Sequence, residues 1–178
     1  MPPKAKFTKQ EIICAAVNIV EREGLDNLTA RALGDELGSS ARPIFTVFNS
    51  MDEVITEVYA QANAVYGSYV EKGLGEDIAF RGVGKAYIGF AADRPRLFQL
   101  LFMKERSDVP EDVSILMGIE EHYADILKSI EQGYGLDEKT AKELYFHMWV
   151  YSHGIAVLIA TKVCAFNSEQ TTLMISEV

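Results

Sequence analysis

Few side chains in this sequence stand at the spacings that covalent chemistry needs. No Ser-His-Asp set, glycine-rich phosphate loop, H-E-x-x-H pair or paired carboxylate motif occurs at diagnostic spacing, so an enzyme is not expected. His147 and His153 fall six residues apart on one expected helix and point about 120° from each other, a poor geometry for sharing a metal. His122, beside Glu120, Glu121 and Asp125, has the donors for a cation, although a solvated acidic face uses the same residues. His153-Gly154 inside an apolar run reads as one polar group satisfied in a pocket or core, with the glycine permitting close helix approach. Cys14 and Cys164, far apart and without C-x-x-C spacing or a secretory segment before them, read as buried thiols in a reducing cytoplasm. No cofactor and no metal are expected.

Charge recognition is the chemistry that remains. A net charge of -9 argues against a protein that coats nucleic acid along its whole surface, because phosphate neutralisation needs Lys and Arg. The charge is unevenly divided. Residues 1–50 balance Lys4, Lys6, Lys9, Arg22, Arg31 and Arg42 against Glu11, Glu21, Glu23, Asp26, Asp35 and Glu36. All of the excess negative charge therefore lies after residue 50.

The elements that must carry these groups are helical throughout. The chain's 178 residues, 48% of them apolar, suffice for one sizeable core or for a small module joined to a larger one. Apolar residues recur at three- and four-residue spacing almost everywhere, strand-like alternation is nearly absent, and no internal repeat is visible. Thr8-Lys9-Gln10-Glu11 is a capping box opening a first helix, whose buried stripe is Ile12, Ala15, Ala16, Ile19 and Val20 and which Gly24 closes. A second helix runs from Thr29 to Leu37, Gly38 breaks it, and Ser40 caps a third. Ser50-Met51-Asp52-Glu53 is a second capping box, starting a long helix toward Tyr69 or Lys72 that Gly73 and Gly75 end. Further helices are expected over about 77–92, 95–104, 111–133, 138–165 and 168–177. Leu144 to Thr161 is uncharged and long enough for a membrane span, but His147, Ser152, His153 and Thr161 interrupt it and no lysine-rich loop sets an orientation, so a helix buried in a core or between subunits is expected.

The stretch from Thr29 to Phe48, TARALGDELGSSARPIFTVF, has what a helix-turn-helix requires. Two short helices that cross steeply need a small residue where they touch, a glycine in the turn and apolar residues facing a shared core. Gly34, Gly38 and the set Leu33, Leu37, Ile44 and Val47 meet those needs, as they also would in a helical hairpin with no DNA role.

These residues resemble the TetR family of bacterial repressors. The similarity lies in Glu23-Gly24-Leu25, Leu28-Thr29-Ala30-Arg31, Leu37-Gly38, the run Ile44-Phe45-Thr46-Val47-Phe48 and Ser50-Met51-Asp52-Glu53-Val54. Farther on, the run from Ala92 to Phe102, together with Trp149, His153 and Gly154, resembles a C-terminal subclass named for its Trp-His-Gly signature. The resemblance implies a helix-turn-helix DNA-binding domain over residues 1–50 and a ligand-binding and dimerisation domain over 51–178. It also implies a homodimer on a double-stranded DNA operator, with the third helix in the major groove. On this implication Ala41, Arg42, Pro43 and Thr46 face bases, Thr8, Lys9, Thr29, Arg31, Phe45 and Asn49 lie near the backbone, and Ser40 joins the DNA-binding set. Arg42 suits a bidentate contact to guanine, and equally a phosphate contact or a solvated surface position.

Two departures bear on affinity. The family pattern has Tyr at the position of Phe45 and Lys at that of Met51, so a phosphate-bonding hydroxyl and a cation are lost. Weaker or more sequence-restricted binding is the expectation, unless Lys4 and Lys6 compensate.

The body holds a dense aromatic set between residues 77 and 165, most of it core. A pocket for a small apolar or aromatic effector is expected from Tyr87, Phe90, Phe98, Phe102, Tyr123, Trp149 and His153. Dimerisation is assigned to the helices near 138–165 and 168–177 as a four-helix arrangement about a two-fold axis. A ligand that shifts the helix beginning at Ser50 would then change the spacing of the half-sites. The expected protein is thus an all-α, cytoplasmic, ligand-released regulator without membrane contact, and the competing class is a dimeric interaction module that has lost DNA binding.

Overall fold

The computed structural model describes residues 6–105 and 115–177. Every regular element among them is helical: α1 (Lys9–Glu23), α2 (Ala30–Glu36), α3 (Met51–Leu74), α4 (Ala79–Asp93), α5 (Pro95–Phe102), α6 (Ile115–Ile119), α7 (Tyr123–Tyr134), α8 (Glu138–Ala160) and α9 (Ser168–Ser176). Short 3-10 turns at Leu25–Asn27 and Ile44–Thr46 complete the set. The all-α expectation is met. None of these helices is long and apolar enough to cross a membrane. The chain forms two compact units, Met1–Ala64 and Val65–Val178, and α3 starts in the first and ends in the second.

In the first unit α1 opens with the expected reciprocal cap: the Glu11 N–H donates to Thr8 Oγ1 at 3.2 Å and the Thr8 N–H to Glu11 Oε2 at 2.7 Å. Its inward stripe is Ile12, Ile13, Ala15, Ala16, Ile19 and Val20. Those positions use up the buried face, so Cys14 is exposed, against the expectation of a buried thiol; Cys164 is half-buried. Thr29 caps α2 by accepting from the Ala32 N–H. Gly34 is buried where α2 meets the following turn, and a Cβ there would stand 2.9 Å from the Ala41 nitrogen.

The third helix expected from Ser40 does not form. Only the 3-10 turn Ile44–Thr46 forms, with Pro43 at its N-cap position and no side-chain cap. Pro43, with no N–H to give and a helical φ of -61°, is accommodated at the start of that turn. The second capping box is half made. Glu53 N–H donates to Ser50 Oγ at 3.3 Å, but the Glu53 carboxylate turns to Asn49, accepting from its backbone N–H at 2.8 Å and its side-chain amide at 2.7 Å.

In the second unit α4 is central, touching α5, α7, α8 and α9. Phe90, Phe98, Leu97, Leu116, Ile126 and Ile130 are fully buried, and Ile88, Ile155 and Ile175 make a further cluster joining α4, α8 and α9. Helix α3 ends at Leu74, between Gly73 and Gly75, the two glycines expected to end it, and Gly73 has a second role in its last turn. It lies inside the helix against Gly82 of α4, and a Cβ on Gly82 would stand 2.2 Å from the Gly73 oxygen. The two glycines set the closeness of that crossing.

The single helix expected over 111–133 is interrupted, its residues 111–114 lying outside the described ones. Between α6 and α7, Glu120 turns inward and its carboxylate accepts from the His122 N–H at 3.1 Å. Helix α8 stops at Ala160, short of the expected 165, because Lys162 takes a left-handed conformation with φ 59°. The N–H groups of Val163 and Lys162 donate back to Leu158 and Ile159 at 2.9 Å, the paired bonds that close a helix in a Schellman motif.

Candidate nucleic-acid interface and ligand cavity

The first candidate site is the segment from Ser40 to Thr46. Ile44 is wholly buried and Phe48 nearly so, and with Leu33 they hold the turn from behind. Ser40, Arg42, Phe45 and Thr46 are exposed, Phe45 to 46%, while Ala41 and Pro43 are half-buried. The Thr46 hydroxyl donates to the Pro43 carbonyl at 2.6 Å, which fixes it on the turn. Thr8, Lys9, Thr29, Arg31 and Asn49 are exposed as well.

Several of these side chains already have partners. Thr8 and Thr29 are N-caps, and Asn49 is held by Glu53. Lys9 pairs with Glu57 and lies 5.8 Å from the centre of the Phe48 ring. Arg31 stands 4.0 Å from Asp35, both largely exposed, and Lys6 donates to Ser39 Oγ at 2.9 Å. Among the described residues no carboxylate pairs with Arg42. Lys4 lies outside the described residues.

The second candidate site is a cavity of about 300 Å³ in the second unit, walled by Phe80, Val83, Tyr87, Leu144, Tyr145, Met148 and Trp149, with Tyr66, Arg81, Glu120 and Ser152 among its polar lining. Tyr87 and Trp149 of the expected ligand set are in the wall. Phe90 and Phe98 are fully buried in the core instead; Phe98 and Phe102 sit behind Tyr87 at ring distances of 5.5 and 5.2 Å. Tyr123 stacks on Tyr145 at 5.6 Å. His153 stacks on Trp149 at 5.0 Å, and its Nδ1 is 2.8 Å from the Tyr87 hydroxyl. Burial lowers the pKa of His153, which favours the neutral ring there. Within the chain nothing lies within 4 Å of a Cβ built on Gly154, so this glycine does not make the close approach to another helix of the same chain that its place in the sequence suggests.

Two charged groups in the wall escaped sequence reasoning. Glu120 reads as part of a solvated acidic run, yet it is 6% exposed and its Oε2 accepts from the Tyr66 hydroxyl at 2.5 Å. Burial pushes its carboxyl above the usual value, against the pull of those hydrogen bonds. His122 fits beside it because Gly67 has no side chain: a Cβ there would be 3.0 Å from the imidazole. The His122 Nδ1 is 3.6 Å from Glu120, too far for a hydrogen bond. Arg81 lines the cavity and its Nε is buried with no hydrogen-bond partner. Its sequence signal was slight: a cation between Phe80 and Gly82 near the start of an apolar helix. Among the described residues, no group of three or more His, Cys, Asp or Glu side chains is placed to hold a metal.

Residues 80–173 match the family described as tetracyclin repressor-like, C-terminal domain. An uncharacterized HTH-type transcriptional regulator of Mycobacterium tuberculosis is 27% identical over 89% of this chain and 73% of its own length. A second, from Bacillus subtilis, is 24% identical over 97% of this chain and 88% of its own. Among solved structures, a TetR-like transcriptional regulator from Rhodococcus sp. RHA1 superposes with a TM-score of 0.62 at 13% identity, covering 99% of this chain and 95% of that one. The multidrug binding protein EbrR, solved with imidazole, gives a TM-score of 0.55 at 16% identity over 95% of this chain and 88% of that one. These two likenesses concern the fold.

Proposed function

The chain belongs to the family with the tetracyclin repressor-like C-terminal domain, and from that premise we propose that it is a dimeric, DNA-binding transcriptional repressor released from its operator by a small apolar or aromatic effector. Residues 1–50 read DNA, and residues 51–178 bind the effector and the second subunit. The observation that carries the reading is the turn at Ser40–Thr46. Buried Leu33, Ile44 and Phe48 hold it while Arg42, Phe45 and Thr46 face outward, as major-groove readout requires. The names of the M. tuberculosis and B. subtilis relatives support it, as does the ligand-binding name of EbrR. The stack of Trp149 on His153, next to Gly154, supports the Trp-His-Gly subclass. The protein works in the cytoplasm and carries out no catalysis.

The effector acts through α3. Its second half supplies Tyr66 to the cavity wall, and its first turn follows the DNA-facing segment. A ligand that displaces Tyr66 moves the helix on which the readout turn depends, and the half-sites leave the spacing of about 34–36 Å that one DNA turn demands.

One observation favours a dimer without DNA binding: Lys9 and Arg31, both expected at phosphates, already face Glu57 and Asp35. Exposed pairs of this kind contribute only about 0–1 kcal/mol, so a phosphate displaces them at small cost. A mobility shift with DNA from upstream of the protein's own gene separates the two readings. A specific complex is expected, weakened by about 1–3 kcal/mol in Arg42→Ala. With Phe45 and Met51 in place of Tyr and Lys, its salt dependence is expected to be shallow. Absence of a specific complex at every salt concentration would leave only the interaction module.

A further inference from the structure

The cavity is apolar over most of its wall, yet its charged lining is unevenly satisfied. Both Glu120 oxygens are taken within the protein, Oε2 by the Tyr66 hydroxyl and Oε1 by the His122 N–H. Arg81 is the opposite case. It lines the same cavity, its Nε is buried without an acceptor, and none of the ion pairs among the described residues includes it. Lys85, one turn farther along α4, is by contrast paired with both oxygens of Glu76 at 2.9 and 3.1 Å. A buried donor without an acceptor costs about 1–3 kcal/mol, more when charged, and a ligand that supplies the acceptor recovers it. A guanidinium pairs best with a planar anion that can take two parallel N–H bonds.

We propose that the effector is a small carboxylic acid with an aromatic or branched apolar body, its carboxylate held by Arg81 and its body packed against Phe80, Tyr87, Tyr145 and Trp149. This rests on the reading of the cavity as the effector site and adds to it the charge of the ligand. The volume of about 300 Å³ lies at the lower end for ligand pockets, so one substituted ring fits and a large multi-ring drug does not. The raised pKa of Glu120 agrees with this, since a carboxyl held more readily in its neutral form repels the incoming anion less.

Trp149 is the sole tryptophan and lies in the wall, so its fluorescence reports occupancy directly. The test titrates the full-length protein with three matched probes: 4-tert-butylbenzoate, 4-tert-butylbenzamide and 4-tert-butylbenzylammonium, with affinities checked by calorimetry. The benzoate is expected to bind about tenfold or more tighter than the amide, and the ammonium weakest. Arg81→Gln should erase the acid-over-amide preference, whereas Arg81→Lys retains part of it. Equal binding of acid and amide by the unmodified protein overturns the inference, as does tightest binding of the ammonium, a preference that survives in Arg81→Gln, or failure of all three to bind. The mobility shift, run separately on the same preparation, reports whether DNA binding stands, so failure of the ligand class and failure of the regulator reading are distinct results.

Discussion

Glu120 is the residue whose energetics most depend on its surroundings. Its carboxyl is raised by burial, from an ordinary value of 4.5, although Tyr66 and His122 donate hydrogen bonds to it. The folded form therefore holds the proton more tightly than the unfolded chain, and the stability this contributes falls as pH rises from about 4.5 through the folded-state value. The capping carboxylates Glu11, Glu53 and Asp137 are lowered by the hydrogen bonds of Thr8, Asn49 and Thr140, so their contribution has the opposite sign and is lost on acidification. Glu120→Gln cannot ionise. Its unfolding free energy relative to the unmodified protein should thus shift in favour of the variant as pH is raised from about 5 to about 8, measured by urea unfolding at each pH. A difference that stays flat, or moves the other way, would show that Glu120 is ionised without penalty in the folded protein.

Among the elements, the crossing of α3 and α4 is set by Gly73 and Gly82. Substituting Gly82 with Ala would put a Cβ 2.2 Å from the Gly73 oxygen, a backbone atom with no side-chain freedom to yield. The helices must separate, and a loss of about 3 kcal/mol is expected by chemical denaturation. Gly89, in the same helix, has nothing within 4 Å of its would-be Cβ, so Gly89→Ala should gain about 0.5–1 kcal/mol from helix propensity alone. Should both variants gain stability alike, propensity and not the crossing would be the governing effect. The Gly73 contact was hidden in the sequence, where a glycine late in a helix has the look of a terminator. Only the partner helix shows what that glycine is for.

The whole molecule carries an unfilled surface. Val150, 49% exposed, and Leu158, 37% exposed, follow one another on α8 with Gly154 between them, and Leu173, 57% exposed, lies on α9. Apolar positions at three- and four-residue spacing on an exposed face are what a two-fold helical interface requires. If this face closes the proposed dimer, Val150→Asp combined with Leu158→Asp should leave a monomer in sedimentation. Operator affinity should fall by about a hundredfold or more, because the second half-site no longer binds intramolecularly. The fluorescence response of Trp149 to ligand should persist. An unchanged dimer would move the interface to another face.

From the sequence alone follow the helical class, the caps at Thr8 and Thr29, the close contact at Gly34 and the resemblance carried by the segment from Glu23 to Val54, because local periodicity, capping chemistry and short-range packing are written in neighbouring residues. The tertiary structure decided what depends on residues far apart in the chain. Pro43 was visible, but the shrinking of the third helix to a 3-10 turn anchored by the buried Ile44 was not. Tyr87 and Trp149 face the cavity while Phe90 and Phe98 do not, since an aromatic stripe on a helix looks the same whether it meets a void or a neighbour. Glu120 in a run of acids gave no sign of burial, and Arg81 near a helix start none that its Nε would be enclosed. Their environment comes from α3, α4 and α8 closing around them, and no single segment of the chain encodes that.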